Sequence, residues 1–142
     1  MRIRRANQSD VPDVALLARE LGYRCNESDI RERLSRISRK KDHVVLVCVD
    51  DNRKVIGWIH GFIRTILQDQ ISVEIEGFVV ARKHRRNGVG SLLLEKMEAW
   101  AVAHGIYKIS LGTNVKRKSA YRFYYKRGFH KTKVHYRLTK YL

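Results

Sequence analysis

The sequence has no long apolar run and only two cysteines. No stretch approaches the roughly 18 uninterrupted apolar residues that span a membrane, and the amino terminus lacks the apolar segment of a secretory signal. Cys25 and Cys48 lie in separate segments without the spacing of metal ligands, which favours free thiols over a disulfide or a zinc site. We therefore expect a cytoplasmic protein with no bound metal and no membrane attachment.

Acidic residues are also scarce. Asp and Glu number 14 against 30 Lys and Arg, so the formal net charge is +16 and the field of the molecule attracts polyanions. Nucleic acid and phosphorylated small molecules both suit this charge. The basic residues are spread through nearly every segment, and the aromatic residues do not form the interleaved pattern of a single-strand binder. Charge alone therefore does not decide the function.

Length and composition predict one domain over residues 1–142. The chain is 44% hydrophobic and contains no internal repeat, low-complexity segment or linker. Its hydrophobic periodicity predicts the element order β, α, α, three β, α, β, α, β. Ser9 or Asp10 is expected to cap the first helix and Ser28 the second. The last strand is expected around residues 133–138.

One predicted strand carries two acids. The apolar residues at positions 71, 73 and 75 alternate with Ser72, Glu74 and Glu76, which predicts that both acids point to one face of a sheet. Either acid could pair with an arginine, bind a cationic substrate or take up a proton. These roles stay open at the level of the residues themselves.

The most informative segment is the basic, glycine-containing turn that follows this strand. A helix is predicted to begin after the turn, and unpaired backbone N–H groups with the positive end of a helix dipole suit a pyrophosphate. Gly88 and Gly90 leave room for close approach, and Arg85 and Arg86 add positive charge. The spacing fits neither a Walker loop, which needs Gly-Lys followed by Ser or Thr, nor a dinucleotide fingerprint, which needs a third glycine.

Two motifs resemble those of the GNAT superfamily of N-acetyltransferases. Residues Arg85–Gly90 fit the pattern R/Q-x-x-G-x-G/A of its acyl-CoA loop, and residues Ala120–Phe129 fit its later helix pattern A-x-x-F/L-Y-x-x-x-G-F. The predicted element order is also that of the family, so the resemblance covers essentially the whole chain. It implies an α/β (α+β) fold, a single domain with a mixed, mostly antiparallel sheet of six to seven strands. By the same resemblance the sheet is splayed between its fourth and fifth strands and flanked by about four helices.

The resemblance implies which residues bind acetyl-CoA as cosubstrate. The turn holds the pyrophosphate, and the strand edge before it pairs with the pantetheine arm as a pseudo-strand. Asn114, just past the predicted fifth strand, is a further cofactor candidate, with a plain turn residue as the alternative. The other residues concerned are Arg85, Arg86, Asn87, Gly88, Val89, Gly90 and Ser91 at the pyrophosphate, and Phe78, Val79 and Val80 at the pantetheine.

The resemblance also implies the chemistry and the catalytic residues. A neutral amine attacks the acetyl thioester, so the amine must lose a proton, the developing oxyanion needs a donor, and the departing sulfur benefits from an acid. Tyr124 matches the family's tyrosine that protonates the thiolate, with a packing or stacking role as the alternative. Glu76 lies where many members have the carboxylate that takes the amine proton, with Glu74 or a water chain as alternatives. The backbone N–H of Val80 is the family's oxyanion donor.

These observations predict an acetyl-CoA-dependent N-acetyltransferase that acts by direct attack in a ternary complex. A small-molecule or protein amine is the expected acceptor, and segments Gly22–Asn26 and Leu67–Gln70 are candidate acceptor loops. The alternative is a regulatory or nucleic-acid-associated module that keeps the acyl-CoA fold with little catalysis. Nucleic acid is the less favoured partner, and a homodimer is compatible with the resemblance.

Overall fold

Five strands and four helices make up the protein, and a computed structural model describes its residues 1–142. The chain forms two units, Met1–Leu111 and Gly112–Leu142. The first unit contains β1 (Arg2–Arg5), α1 (Val11–Glu20), α2 (Glu27–Ser38), β2 (His43–Val49), β3 (Val55–Arg64), β4 (Ser72–Val80), α3 (Val89–Ala103) and β5 (Ile109–Leu111), and the second contains α4 (Lys118–Lys126). The extent of the domain over residues 1–142 stays a prediction. None of the four helices has the length and apolar character of a membrane span.

The strands form one mixed sheet in the order β1-β2-β3-β4-β5. Its first three pairings are antiparallel, and β4 pairs with β5 in parallel. The predicted count of six to seven strands was wrong, because residues 130–142 form no strand. Val134, Tyr136 and Leu138 alternate with polar residues there, yet all three are exposed. Alternation needs a neighbouring strand and a buried face before it produces a strand, and this segment has neither.

The parallel pairing at the sheet edge is short. β5 lies opposite β4 only at Val73, Glu74 and Ile75. Because β4 continues to Val80, the two strands share only the first part of β4. This arrangement agrees with the splay expected between the fourth and fifth strands.

Helices cover both faces of the sheet. On one face, Val14 of α1 lies in a buried cluster with Val47 and Val79, which we call the α1 cluster. On the other face, α3 approaches β3 closely, since a Cβ added to Gly61 would lie 2.6 Å from Met97 Sδ. Glycine in the strand therefore makes room for a large α3 side chain. We call these the α1 face and the α3 face.

Asparagine side chains form the caps ahead of the first two helices. Asp10 is the N-cap residue of α1, as expected, but its side chain makes no cap hydrogen bond to α1. Asn7 caps a short 3-10 turn before α1 and forms a capping box with Asp10, and Asn26 forms the same arrangement with Asp29 at α2. The expected cap Ser28 lies inside α2. In both boxes the amide side chain accepts from a backbone N–H while the later carboxylate accepts the N–H of the asparagine, so the Asn-x-x-Asp spacing satisfies two donors at once.

A partly buried ion pair joins β1 to the start of α1. Arg4 Nη1 and Nη2 each donate to Asp10 at 2.8 Å, and the Asp10 side chain is almost fully buried. Burial pushes the pKa of the Asp10 carboxyl upward, but its bonds to Arg4 and to the Asn7 N–H, with the Arg4 charge, outweigh burial and lower the pKa. The pair therefore stabilises the folded protein above the unfolded pKa of about 3.9 and loses this contribution as pH falls through the lower folded value.

Replacing Asp10→Asn should lower the free energy of unfolding by about 1 to 3 kcal/mol at pH 7, because the Arg4 guanidinium keeps its partial burial and loses its charged partner. The difference between wild type and variant should shrink below about pH 4. Urea unfolding at several pH values measures both effects. Glu32→Gln is the control, since it breaks an exposed Arg36–Glu32 pair of 3.0 Å and should cost less than about 0.5 kcal/mol. Equal losses in the two variants would contradict the assignment.

Candidate active site

A β-bulge in β4 sets the position of Glu76. Ile75 lies opposite Gly61 of β3 and Gly77 lies opposite the adjacent His60, so Glu76 is the extra residue and has no counterpart in β3. Glu76 is exposed and Glu74 is half-buried. Ile75 points to the α3 face with its partner Gly61, so the two acids that flank Ile75 lie on the α1 face, as the alternation predicted.

The bulge reverses the orientation of the strand beyond it. Val73 lies on the α3 face, where its Cγ1 is 3.4 Å from a Cβ added to Gly61. Val79 comes six positions after Val73, an even offset, yet it packs in the α1 cluster. An uninterrupted strand would place both on one face. The single extra residue therefore changes which face the second half of β4 presents.

Gly77 is held against an aromatic ring directly after the bulge. A Cβ on Gly77 would lie 2.5 Å from Cζ3 and 2.7 Å from Cη2 of Trp58. Trp58 packs against the α1 cluster, and its indole Nε1 is buried without a hydrogen-bond partner. The ring thus occupies the space that a side chain at position 77 would need. Sequence reasoning missed this contact, although an isolated glycine inside an apolar strand is a known signal of a bulge or a close approach.

The basic turn after β4 leaves backbone N–H groups without intrahelical or side-chain acceptors at the start of α3. Arg86 has φ 67° and Gly88 has φ 82°, both in the left-handed region, and α3 begins directly afterwards with no side-chain cap. The N–H groups of Val89, Gly90 and Ser91 open the helix and have no acceptor within it. Nothing lies within 4 Å of a Cβ added to Gly88. This open, positively polarised backbone fits a pyrophosphate.

Arg85 connects the turn to the end of the strand. Its Nε donates to the Val80 carbonyl oxygen at 3.3 Å. Arg86 and Asn87 are exposed. The structure therefore brings the strand end and all the predicted turn residues together within the first unit, next to the strand that carries Glu76.

Tyr124 and Asn114 belong to the second unit. The Tyr124 ring contacts Phe123 and Phe129 edge to face, with centroids 5.5 and 5.6 Å apart, and the Phe129 N–H donates to the Tyr124 carbonyl where α4 ends. Burial raises the pKa of the Tyr124 phenol, and the Arg117 charge opposes this rise. The phenol therefore keeps its proton at neutral pH and is able to donate it.

Asn114 supports a turn before α4. Its Oδ1 accepts from the Lys116 N–H at 2.9 Å, and its carbonyl accepts from the Arg117 N–H at 2.9 Å. This is the turn role that was weighed against cofactor binding. A contact between Asn114 and the cofactor stays a prediction.

Comparison with known proteins identifies the family. A sequence model of the acetyltransferase (GNAT) family matches residues 13–129. The chain belongs to this family. The resemblance recognised in the turn and in the α4 motif is therefore confirmed.

The proteins that resemble this GNAT protein differ in the share of this chain, and of their own chain, that the match spans. Acetyl transferase GW6a of Oryza sativa subsp. japonica is 30% identical over 95 residues, 59% of this chain, and the match spans only 23% of GW6a. Aminoglycoside 6'-N-acetyltransferase AAC(6')-Ig of Acinetobacter haemolyticus has a TM-score of 0.86 at 20% identity and covers 100% of this chain and 99% of its own. Glucosamine-6-phosphate N-acetyltransferase of Arabidopsis thaliana has a TM-score of 0.81 at 23% identity, covering 99% and 97%. The two structures show that the GNAT fold is shared.

Gly77→Ala should lower the free energy of unfolding by about 1 to 3 kcal/mol, because the new methyl group overlaps the Trp58 ring. Trp58→Phe removes the overlapping atoms, so the double variant should be more stable than the sum of the two single effects predicts. Thermal or urea unfolding of the four proteins measures this coupling. Gly112→Ala, where nothing lies within 4 Å of the added Cβ, is the control and should be near neutral. Strict additivity would show that the ring does not constrain position 77.

Proposed function

We propose that this GNAT protein is an N-acetyltransferase that moves the acetyl group of acetyl-CoA to a primary amine by direct attack in a ternary complex. The observation that carries the proposal is the turn Arg85–Ser91, an open start of α3 with two left-handed residues and no side-chain cap. It directly follows the strand that presents Glu76. Membership of the acetyltransferase family supports the same reaction.

The turn and the end of β4 are the proposed acetyl-CoA site. The backbone N–H groups from Arg86 to Ser91 would bind the pyrophosphate, and the Arg85 guanidinium beside them adds positive charge. Backbone groups of Phe78, Val79 and Val80 would bind the pantetheine arm, since β5 ends opposite Ile75. When bound there, the cosubstrate supplies an acetyl thioester.

Tyr124 is the proposed general acid. Its phenol keeps its proton at neutral pH and would donate it to the departing sulfur. The Val80 N–H would donate to the carbonyl oxygen as negative charge develops on it. These donors act on the leaving group and on the oxyanion, which are two of the three tasks of the reaction.

Glu76 is the proposed base for the third task. An alkyl ammonium has a pKa of about 10.4, so at pH 7 the amine arrives protonated and must lose a proton before it attacks. The bulge presents the Glu76 carboxylate at the surface of β4, where an ammonium is able to reach it. A carboxylate there also attracts a cationic acceptor to a protein whose net charge is +16.

The acceptor is proposed to be an amine on the evidence of the reaction type. The names of the two N-acetyltransferases with the same fold describe amino sugars or aminoglycosides as their own substrates. Because both are under 25% identical, they support the fold and leave the acceptor of this chain to experiment. GW6a is about four times longer than the matched part, so its whole activity is not carried over.

Gly88→Glu should abolish CoA binding, raising Kd by at least about 100-fold, because a carboxylate would stand where the pyrophosphate must bind. Gly105→Glu is a matched control, since Gly105 has φ 72° and nothing within 4 Å of an added Cβ, but it lies at the other end of α3. Calorimetric titration with CoA measures both variants. A wild-type CoA affinity in Gly88→Glu would show that the turn is not the cofactor site.

Tyr124→Phe should lower kcat for acetyl-CoA-dependent thiol release by about 100-fold or more while CoA affinity stays unchanged, because only proton donation is lost. The assay uses a mixed panel of amines at fixed salt. CoA binding without release for any amine would instead support the non-catalytic alternative. An unchanged kcat would show that Tyr124 is not the general acid and would support its packing role.

Glu76→Gln should lower kcat/KM for the amine by about 100-fold at pH 7, and the deficit should shrink toward pH 10 as solvent deprotonates the amine. Glu74→Gln is the comparison variant on the same face. Rate profiles from pH 6 to 10 separate the two. A larger, pH-dependent loss in Glu74→Gln would transfer the role to that residue.

A further inference from the structure

Three rings lie together on the α1 face of the sheet. His43 of β2 stacks on His60 and Phe62 of β3, with centroids 5.2 and 5.1 Å away and interplanar angles of 26° and 16°. All three residues are only half-buried, so part of the cluster faces solvent. We call these residues the ring cluster.

The ring cluster is adjacent to the acids of β4. Phe62 lies directly opposite Glu74, and His60 lies opposite Gly77, next to the bulged Glu76. Residues directly opposite on neighbouring strands have Cβ atoms roughly 5 Å apart and point to the same face. The rings therefore share one surface with Glu74, and the bulged Glu76 lies two positions further along β4.

The two imidazoles form a neutral, hydrogen-bonded pair, and each ring keeps one further nitrogen for a ligand. His43 Nδ1 and His60 Nε2 are 3.0 Å apart and share one hydrogen bond, and the outer nitrogens, His43 Nε2 and His60 Nδ1, make no hydrogen bond within the protein. Burial, together with the nearby His43, lowers the pKa of His60 to about 4, and burial lowers the pKa of His43. Whichever tautomer carries the shared proton, one outer nitrogen is then a donor and the other an acceptor.

The strands that carry the ring cluster contain few basic residues for a strongly basic protein. The chain contains 30 Lys and Arg, yet β2 and β4 contain none and β3 contains only Arg64 at its end. Arg64 shares the face of Phe62, and the charge of Lys40 acts on His43, so the attraction of a cationic amine to this surface depends on the acids of β4.

We infer that the ring cluster is the acceptor subsite that binds the uncharged end of the amine, and that it selects an arylalkylamine. The inference rests on the proposed function, because it places the ammonium at Glu76 and the aromatic group of the same molecule on the neighbouring strand. A planar ring extends the stack of His43, His60 and Phe62. A hydroxyl or ring N–H on it pairs with an outer imidazole nitrogen, whichever tautomer is present.

The test compares three acceptors of matched length, 2-cyclohexylethylamine, phenethylamine and tyramine, in the acetyl-CoA thiol-release assay. Aromatic stacking should make kcat/KM for phenethylamine about 3- to 10-fold higher than for the cyclohexyl compound. The tyramine hydroxyl should add a further factor of about 3 to 10. The KM for acetyl-CoA should be the same with all three.

Two variants assign these ratios to residues. Phe62→Leu keeps an apolar side chain and should bring the kcat/KM ratio of phenethylamine to 2-cyclohexylethylamine close to one. His60→Gln removes the imidazole pair and should bring the kcat/KM ratio of tyramine to phenethylamine close to one. His104→Gln is the control, because this exposed histidine lies beyond α3 and contacts Trp100. It should leave both ratios unchanged. Chemical shifts of the His43 and His60 rings, recorded with CoA bound, should move on addition of tyramine.

The outcomes separate this inference from the proposed function. Failure of every amine to release thiol overturns the proposed function. Acetylation with all ratios near one, a preference for the cyclohexyl compound, or ratios that Phe62→Leu and His60→Gln leave intact overturns the subsite alone. Folding of each variant is checked by its melting temperature, and two variants on different residues keep the test decisive if one of them unfolds.

Discussion

The single extra residue in β4 is the constraint on which the candidate site depends. Before Glu76 the strand turns Val73 and Ile75 to α3, and after it the strand turns Val79 to α1. One continuous strand thereby supplies apolar contacts to both layers of helices and presents an acid at the point of reversal. Without the bulge, Val79 would leave the α1 cluster, and Phe78 and Val80 would exchange faces with it.

The surrounding structure makes this irregularity tolerable. Gly77 accepts the Trp58 ring where a side chain would clash, and Gly61 accepts Met97 on the opposite face. Beyond the strand, Arg85 bonds to the Val80 carbonyl and leads into the left-handed turn that begins α3. The acid, the strand end and the glycine-containing turn therefore follow one another along a short segment of the chain, and local packing fixes their relative positions.

Local signals in the sequence were sufficient for most elements of the fold. α3 was predictable because Val89, Leu93, Met97 and Ala101 recur at helical spacing and all four are buried. The predicted cap at Ser28 was wrong because the Asn26-x-x-Asp29 box satisfies two backbone donors, more than a serine does. The strand predicted at 133–138 is absent because the alternation of apolar and polar residues does not show whether a partner strand exists. The bulge could not be predicted because the apolar residues of β4 continue through it without a break. The change of face after Glu76 is visible only in the contact of Gly77 with Trp58, which is distant in sequence.

Trp58 gives the site a natural optical probe. Its ring touches the backbone one residue beyond Glu76, and its indole nitrogen is buried in an apolar environment without a partner. Indole emission depends on the polarity around the ring, so water entering beside β4 would move it to longer wavelength. Trp100 lies on α3 beside His104 and reports on a different surface. Replacing Trp100 would leave a protein whose fluorescence follows the state of the bulge directly, without any label attached.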